Sequence, residues 1–419
     1  MKGMSGQDSL HIDSNLRIIF AVTLMAVMGV ASITPAFPKI IQELSVPTEA
    51  IGLLIIAFTI PGVILTLVFG VLADRIGRKK VLVPALLLFG VAGGLCALVR
   101  DFNLLLALRF FQGVGAASLG SLNVTLIGDL FSGEKRKAAM AYNASVLSVG
   151  TAIYPAIGGA LASLEWYYPF ALPVVSIPIG LLVLFFLESP EPERSQPFNS
   201  YIIDAWRSIK DRRVIILFLA SIATFIVLYG SYLTYLPILL DTSFGASALV
   251  IGLILSTVSL ATAVMSLLIP RLVKVFSETR LLGLAFALYS LALFFIAIAD
   301  GFWALLVSLL IFGIAHGINI PCIHSLLARL APMEHRAAIM SLNGMVLRLG
   351  QTIGPLLMGF AFVLWGIGTP FVTGAIVCIS MVPLIAVMEW SNKPQKGSIG
   401  GRWQDTMDDG MTTESNGTE

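Results

Sequence analysis

Charge is what this chain has least of. Of its 419 residues only 50 are charged, 26 Lys plus Arg and 24 Asp plus Glu, or 12%, against roughly 25% in an ordinary soluble domain. With 57% apolar residues, the chain lacks the polar surface to enclose such a core in water, which excludes a soluble fold. The formal net charge of +2 and the placement of the bases beside apolar runs exclude a nucleic-acid footprint. The three cysteines, Cys96, Cys322 and Cys378, fall inside apolar runs; they read as small packing residues, with neither a disulfide framework nor paired metal-ligand spacing. Carboxylates are absent at depth: all 24 lie in loops, tails or span ends, with Asp129 the nearest to an embedded one. Nothing has the form of an ATP-binding motif, and "GVGAAS" at 113–118 follows no strand, so no nucleotide cofactor is expected. The first apolar run is too long for a signal-peptide core and has no small-residue cleavage site.

What the chain does have is apolar runs of crossing length, about 20 residues each. Closed by Pro, Gly or charge, they define twelve spans: 17–37, 49–70, 82–99, 103–128, 137–160, 168–187, 214–236, 249–271, 280–298, 302–327, 337–360 and 367–388. Basic residues collect in cytoplasmic loops. With the amino terminus inside, 22 of the 26 are cytoplasmic, Lys39 and Arg100 are outside, and Arg109 and Arg348 lie within spans. Both termini are thus expected in the cytoplasm. The expected organisation is a cytoplasmic tail (1–16), a six-helix bundle (17–187), a cytoplasmic linker (188–213), a second six-helix bundle (214–388) and a disordered tail (389–419). In the linker, Ile202, Ala205, Trp206 and Ile209 share one helical face, as in a helix lying flat on the membrane.

The two halves repeat. The segment from Gly113 aligns without a gap on the segment from Gly313, an offset of 200 residues. Identities include Leu130 with Leu330, Glu134 with Glu334, Arg136 with Arg336, Asn143 with Asn343, Gly150 with Gly350, Pro155 with Pro355 and Gly159 with Gly359. Ile51-Gly52-Leu53 pairs with Ile251-Gly252-Leu253 at the same offset. Halves of six spans each share one orientation, so they should be related by an axis along the membrane normal, with a cavity between them.

After the second span stands "GVLADRIGRKKVL", Gly70 to Leu82. Gly70 permits close helix approach and Gly77 a tight turn, while Asp74 at the surface can accept hydrogen bonds from a helix amino terminus. This segment, with Arg75 and Arg78, resembles the loop signature of the major facilitator superfamily. The resemblance implies that the partner of Asp74 is helix 11 and that the cluster latches the cytoplasmic side. An ordinary basic loop accounts for Lys79 and Lys80 equally. In the second half Lys274 replaces Asp74, so a one-sided latch is expected. Helix 4 carries "LALRFFQGVGAAS", similar to the same superfamily, and places Arg109, Gln112, Ala116, Gly120 and Asn123 on one stripe. An arginine at depth should face a cavity or a buried partner. Helix 5, "GTAIYPAIGG", resembles the antiporter motif of the drug:proton exporters at Gly150, Pro155, Gly158 and Gly159, departing at Tyr154; helix 11 repeats it at Gly350, Gly354, Pro355 and Gly359. Helix 1 has the exporters' Gly and Pro pattern at Gly29, Pro35 and Pro38.

Further cavity candidates are Arg348 and Gln351 with Ser341 on helix 11, and His316 and Asn319 on helix 10. His316 reads either as a proton carrier or as a packed histidine. Tyr232 and Tyr235 read either as aromatic substrate contacts or as part of the outer interfacial belt. The fold expected is an all-α membrane protein of twelve transmembrane helices in two pseudo-symmetric bundles, the major facilitator fold. The function expected is secondary transport, not enzymatic catalysis, exporting small amphiphilic drugs or metabolites through the cell (inner) membrane by alternating access, as a monomer. Proton exchange is what the resemblance implies. The alternatives are a transporter of anionic metabolites or lipids held by Arg109 and Arg348, not necessarily proton-coupled, and a non-transporting receptor or scaffold.

Overall fold

A computed structural model describes residues 14–188, 211–330 and 336–390. Most of the expected linker with its interfacial helix, and nearly all of both tails, fall outside these residues. Twelve helices long and apolar enough to cross a membrane make up the described chain. They are α1 (Ser14–Glu43), α2 (Thr48–Ile76), α3 (Arg78–Cys96), α4 (Phe102–Leu130), α5 (Gly133–Leu164), α6 (Tyr168–Phe186), α7 (Arg212–Phe244), α8 (Ala248–Leu272), α9 (Glu278–Ala297), α10 (Phe302–Leu330), α11 (Arg336–Trp365) and α12 (Thr369–Trp390).

Helix boundaries follow local chemistry. Asp101 caps α4, its carboxylate accepting from Leu104 N at 2.8 Å, and Ser247 and Ser277 cap α8 and α9 in the same way. Between α2 and α3 the chain turns at Gly77 with φ 105°, a conformation that a side chain rarely tolerates. Several helices outrun the apolar runs that announce them. α1 stays α-helical only to Ala31, turns through a 3-10 segment at Thr34–Ala36, and resumes at Phe37–Glu43, because Pro35 and Pro38 lack the amides that an unbroken helix needs. α6 opens as a 3-10 segment, Tyr168–Val175, around Pro169 and Pro173. α7 continues past residue 236 to Phe244 through a π-helical stretch at Val227–Tyr235.

The spans alternate in direction, so Arg17, Arg78, Lys137, Arg213, Arg280 and Arg329 all lie at one end of the bundle, while Lys39 and Arg100 lie at the other. We call these the basic end and the far end. At the far end Arg100 stacks 3.6 Å over the Tyr167 ring, beside Trp166, as an aromatic interfacial belt would.

Within the first half α1 packs on α4, α5 and α6, and α4 lies between α2 and α3; within the second, α7 packs on α10, α11 and α12, and α10 lies between α8 and α9. The repeat is therefore also a repeat of neighbours. It extends to single hydrogen bonds: Thr66 donates to Ala117 O at 3.0 Å, and Ser266, 200 residues on, donates to Gly317 O at 3.1 Å.

Candidate functional site: the seam between the halves

The halves meet along two helix pairs, α2 with α11 and α5 with α8. These pairs exchange under the 200-residue offset, and so do their contacts. A Cβ on Gly52 would meet Pro355 Cβ at 3.0 Å, and a Cβ on Gly252 would overlap Pro155 O. Gly252 thus lets a backbone approach that no side chain would permit, and Gly52 leaves Pro355 room that a side chain would crowd. Along α2 and α11 the seam runs from Glu49–Gly359 and Gly52–Pro355 through a Thr59–Thr352 hydroxyl bond of 3.0 Å to Gly62–Arg348. On the other pair the Ala156 amide donates to Ser256 Oγ at 3.0 Å, and Gly159 lies against Ala248 O. Nearer the basic end the contact stops: among the described residues no heavy atom lies within 4 Å of a Cβ built on Gly70 or Gly344. The halves are joined at the far end and parted toward the basic end.

The motif glycines divide between two tasks. Gly150 and Gly158 pack α5 on α1, against Leu24 and Ser32; Gly354 packs α11 on α7, at Ile226 and Gly230. Gly159 and Pro155, with Pro355, form the seam itself.

Two arginines expected together in a cavity part company. Arg109 is fully buried. Its Nη1 donates to Gly29 O at 2.8 Å and to Gln112 Oε1 at 2.6 Å, its Nε donates to Leu54 O at 3.3 Å, and its guanidinium lies 4.3 Å over the Phe58 ring. Arg109 and Gln112 are thus withdrawn into the packing of α1, α2 and α4, and the cavity assignment is corrected for both. Backbone carbonyls and a ring face take the place of a carboxylate. Arg348 behaves differently. It springs from α11, about 18 Å from that helix's start at the basic end, and crosses the seam to lie over Gly62 and below Ala116, donating to Ala116 O across a long 3.5 Å. It remains partly accessible, and no ion pair joins it to a described carboxylate.

Asn123, also expected in the cavity, is buried: its amide donates to Thr23 Oγ1 at 2.8 Å, and Thr23 donates to Asn143 Oδ1 at 2.5 Å. The second half has a counterpart, Ser221 donating to Asn343 Oδ1 at 2.7 Å. Asn319 is buried too, accepting from Thr224 at 2.9 Å, so it ties α10 to α7. His316 Nδ1 bonds the Tyr289 hydroxyl of α9 and keeps partial exposure. Gln351 is 8% exposed, three residues from Arg348. Tyr232 and Tyr235 are buried as well, which removes both readings given to them. Tyr232 stacks on Phe312 and donates to Leu255 O, and Tyr235 stacks on Phe362. They fill the second half because α7 runs on past them, leaving the belt to Trp166 and Tyr167.

At the basic end Asp74 takes Arg78 Nη1 at 2.9 Å, and Arg78 Nε also lies 2.7 Å from Asp129 Oδ2. Arg75 is exposed. The expected close approach at Gly70 is not made, since the halves are parted there. The side chains at the start of α11, where the partner of Asp74 is expected, lie outside the described residues; the second half does, however, carry an ion pair of its own at this end. Glu278 and Arg329, 200 residues beyond Arg78 and Asp129, form an ion pair at 3.3 Å with the signs reversed, and Ser325 donates to Glu278 at 2.5 Å. Sequence reasoning missed this pair, Thr59–Thr352, Thr23 and Tyr289. The identity of Asn143 with Asn343 was the available signal for the Thr23 and Ser221 bonds.

Comparison with known proteins gives one family. Its sequence profile, described as Major Facilitator Superfamily, matches residues 19–243 and 232–408. Multidrug resistance protein 1 of Bacillus subtilis (strain 168) is 25% identical over 350 residues, covering 83% of this chain and 89% of its own. The Bacillibactin exporter of the same organism is 27% identical over 354 residues, covering 81% and 88%. Among solved structures, a bacterial homolog of the human lysosomal transporter Spinster, in an inward-facing and unoccupied conformation, superposes with TM-score 0.74 at 16% identity, covering 91% of this chain and 96% of that one.

Proposed function

The chain belongs to the Major Facilitator Superfamily, and from that premise we propose that it exports small amphiphilic compounds across the cell membrane by alternating access, coupled to proton re-entry. The observation that carries this reading is the seam. Symmetric glycine–proline contacts close one end, while at the other no described atom lies within 4 Å of a Cβ on Gly70 or Gly344, as expected for one half-cycle of rocking halves. Taking the basic end as cytoplasmic, the open side faces the compartment from which an exporter loads. Relatives named for multidrug resistance and for bacillibactin export support the direction and the breadth of the substrate class. Asp74 and Asp129 at the basic end, and His316 with Tyr289 deeper in, are the titratable groups available for coupling. The test is flux of amphiphilic dyes in proteoliposomes under separately imposed pH and voltage gradients. Uptake driven by the pH gradient is expected; flux indifferent to pH would remove proton coupling, and no flux at all would remove the transporter reading.

A second reading, export of anionic amphiphiles driven by voltage, is favoured by one observation: Arg348 at the seam has no described carboxylate partner.

A further inference from the structure

Resting on that export reading, we propose that Arg348 is a specificity-determining anchor for an acidic group on the substrate, a carboxylate or a group of like charge and size, and that Arg109 has no part in binding. The argument begins with donors. A guanidinium offers five N–H groups. Arg109 places Nη1 on Gly29 O and Gln112 Oε1 and Nε on Leu54 O, at 2.6 to 3.3 Å, and lays its plane on Phe58; its Nη2 has no partner but is buried, and no accessible surface is left for a ligand to reach. It is bound within its own half, and nothing can reach it. Arg348 has one long contact, 3.5 Å to Ala116 O; its other N–H groups are free to bind, and its surface is partly open.

The charge balance points the same way. An arginine at this depth is costly by any scale unless paired, and ordinarily a buried guanidinium is held by a carboxylate in a bidentate fork. No such partner is bonded to Arg348 among the described residues. An acidic substrate would supply it. The position suits a carrier: Arg348 belongs to α11, but its guanidinium rests on α2 and α4 of the opposite half. The seam contacts hold its far-end side shut, and the parted helices leave its basic-end side open. An anion entering from the basic end therefore meets Arg348 at the bottom of the opening. When the halves rock, the side chain leaves Gly62 and Ala116 with its own half, so the contacts that frame the anion change between states.

The test uses the full chain in detergent and three matched probes: 2-naphthylacetate, 2-naphthylacetamide and 2-(2-naphthyl)ethylamine. Binding is read by calorimetry and by ligand-induced thermal stabilisation. A charge-assisted fork is expected to favour the carboxylate over the amide by about ten-fold or more. Arg348→Gln should abolish that ratio, Arg348→Lys should keep part of it, and Arg100→Gln, which removes a far-end cation, should leave it intact. Melting of each variant without ligand shows whether it folds; if Arg348→Gln does not, Arg348→Lys carries the test, since a flexible ammonium cannot reproduce the fork. Equal binding of acid and amide, binding of none of the three, or a ratio surviving Arg348→Gln overturns the proposal. Selective binding without vesicle flux would instead refute the export reading and leave the anion site standing.

Discussion

Substituting Gly252 by alanine should move the protein between its states. A methyl group there would come within 3.0 Å of Pro155 O and stand 3.0 Å from Gly159 Cα, inside the roughly 3.3–3.6 Å at which carbon and a carbonyl oxygen normally meet. The obstacle is backbone on both sides, so no rotamer change relieves it, and α5 and α8 must separate. Overpacking of this kind costs typically about 1–3 kcal/mol. The cost falls only on the state with the far end closed, because rocking the halves apart there removes the overlap. The ratio of the two states should therefore shift by about 5- to 150-fold toward the one with the far end open.

Spin labels at Ile76 and Val275, exposed at the basic ends of opposite halves, measure this by electron–electron distance. Gly252→Ala should shift the distribution toward short distances. Gly52→Ala, which meets the Pro355 side chain at 3.0 Å, should shift it less. Gly70→Ala, with no described atom within 4 Å, should not shift it. Equal effects of Gly70→Ala and Gly252→Ala, or none from either, would refute the reading of the seam as a state-dependent contact.

Other consequences are as direct. Thr23→Val and Asn143→Leu each remove a partner from the Asn123–Thr23–Asn143 chain; losses of about 0.6 to 1.7 kcal/mol are expected for such bonds in a membrane, with the double variant losing less than the sum in reversible unfolding, whereas strict additivity would dissolve the network. Arg109→Leu strands two carbonyls and Gln112, each worth about 1–3 kcal/mol when left unpaired, so thermal stability should drop; a melting curve like that of the parent would contradict the structural role. Glu278→Arg should slow transport and Arg329→Glu should do likewise, while the double exchange recovers it; a double variant as slow as the singles would mean that the pair does not act as a unit. Asp211 caps α7, accepting from Arg213 N at 2.8 Å. The Arg213 side-chain bonds hold its carboxyl below the usual range, so the cap is fully formed at neutral pH and is lost only as pH falls through and below the ordinary carboxylate range. Asp211→Ala should cost about 1 kcal/mol at pH 7 and less in acid; a loss independent of pH would argue against the charged cap.

The architecture was legible because bilayer thickness imposes a length on every apolar run, and because a 200-residue register survives in residues that pack. Gly52 with Gly252 and Pro155 with Pro355 are visible as repeats, and the structure makes each a contact with the other's counterpart. Ends were less legible. Apolar length reports the hydrocarbon, not where a helix stops, so α7 outran its run to Phe244. The site was the least legible part. Arg109 and Arg348 look alike in sequence, each a lone cation in an apolar span. A helical wheel places both on polar stripes but cannot say that the neighbour of one stripe is Gly29 and Leu54 and that of the other is the opposite half. The Glu278–Arg329 pair was hidden for another reason: alignment scores identity, and this repeat conserves complementarity while reversing sign.

That reversal and the two arginines bear on what drives transport. Among the described residues every ion pair lies at the basic end, and the embedded charges, Arg109 and Arg348, are both cations. The groups that the described residues offer for coupling are therefore the basic-end carboxylates, His316 or the cargo itself. If the cargo is an anion seated on Arg348, the loaded seam is nearer neutrality than the empty one. An anion leaving a negative interior gains about 2.3 kcal/mol per charge per 100 mV, enough to drive export with no proton moving. The two schemes make opposite demands in one preparation. Proton exchange requires flux of 2-naphthylacetate to follow an imposed pH gradient when voltage is clamped; anion export requires it to follow voltage at equal pH, with Arg348→Gln removing that dependence. Flux that follows pH alone and survives Arg348→Gln would return the coupling to Asp74, Asp129 and His316.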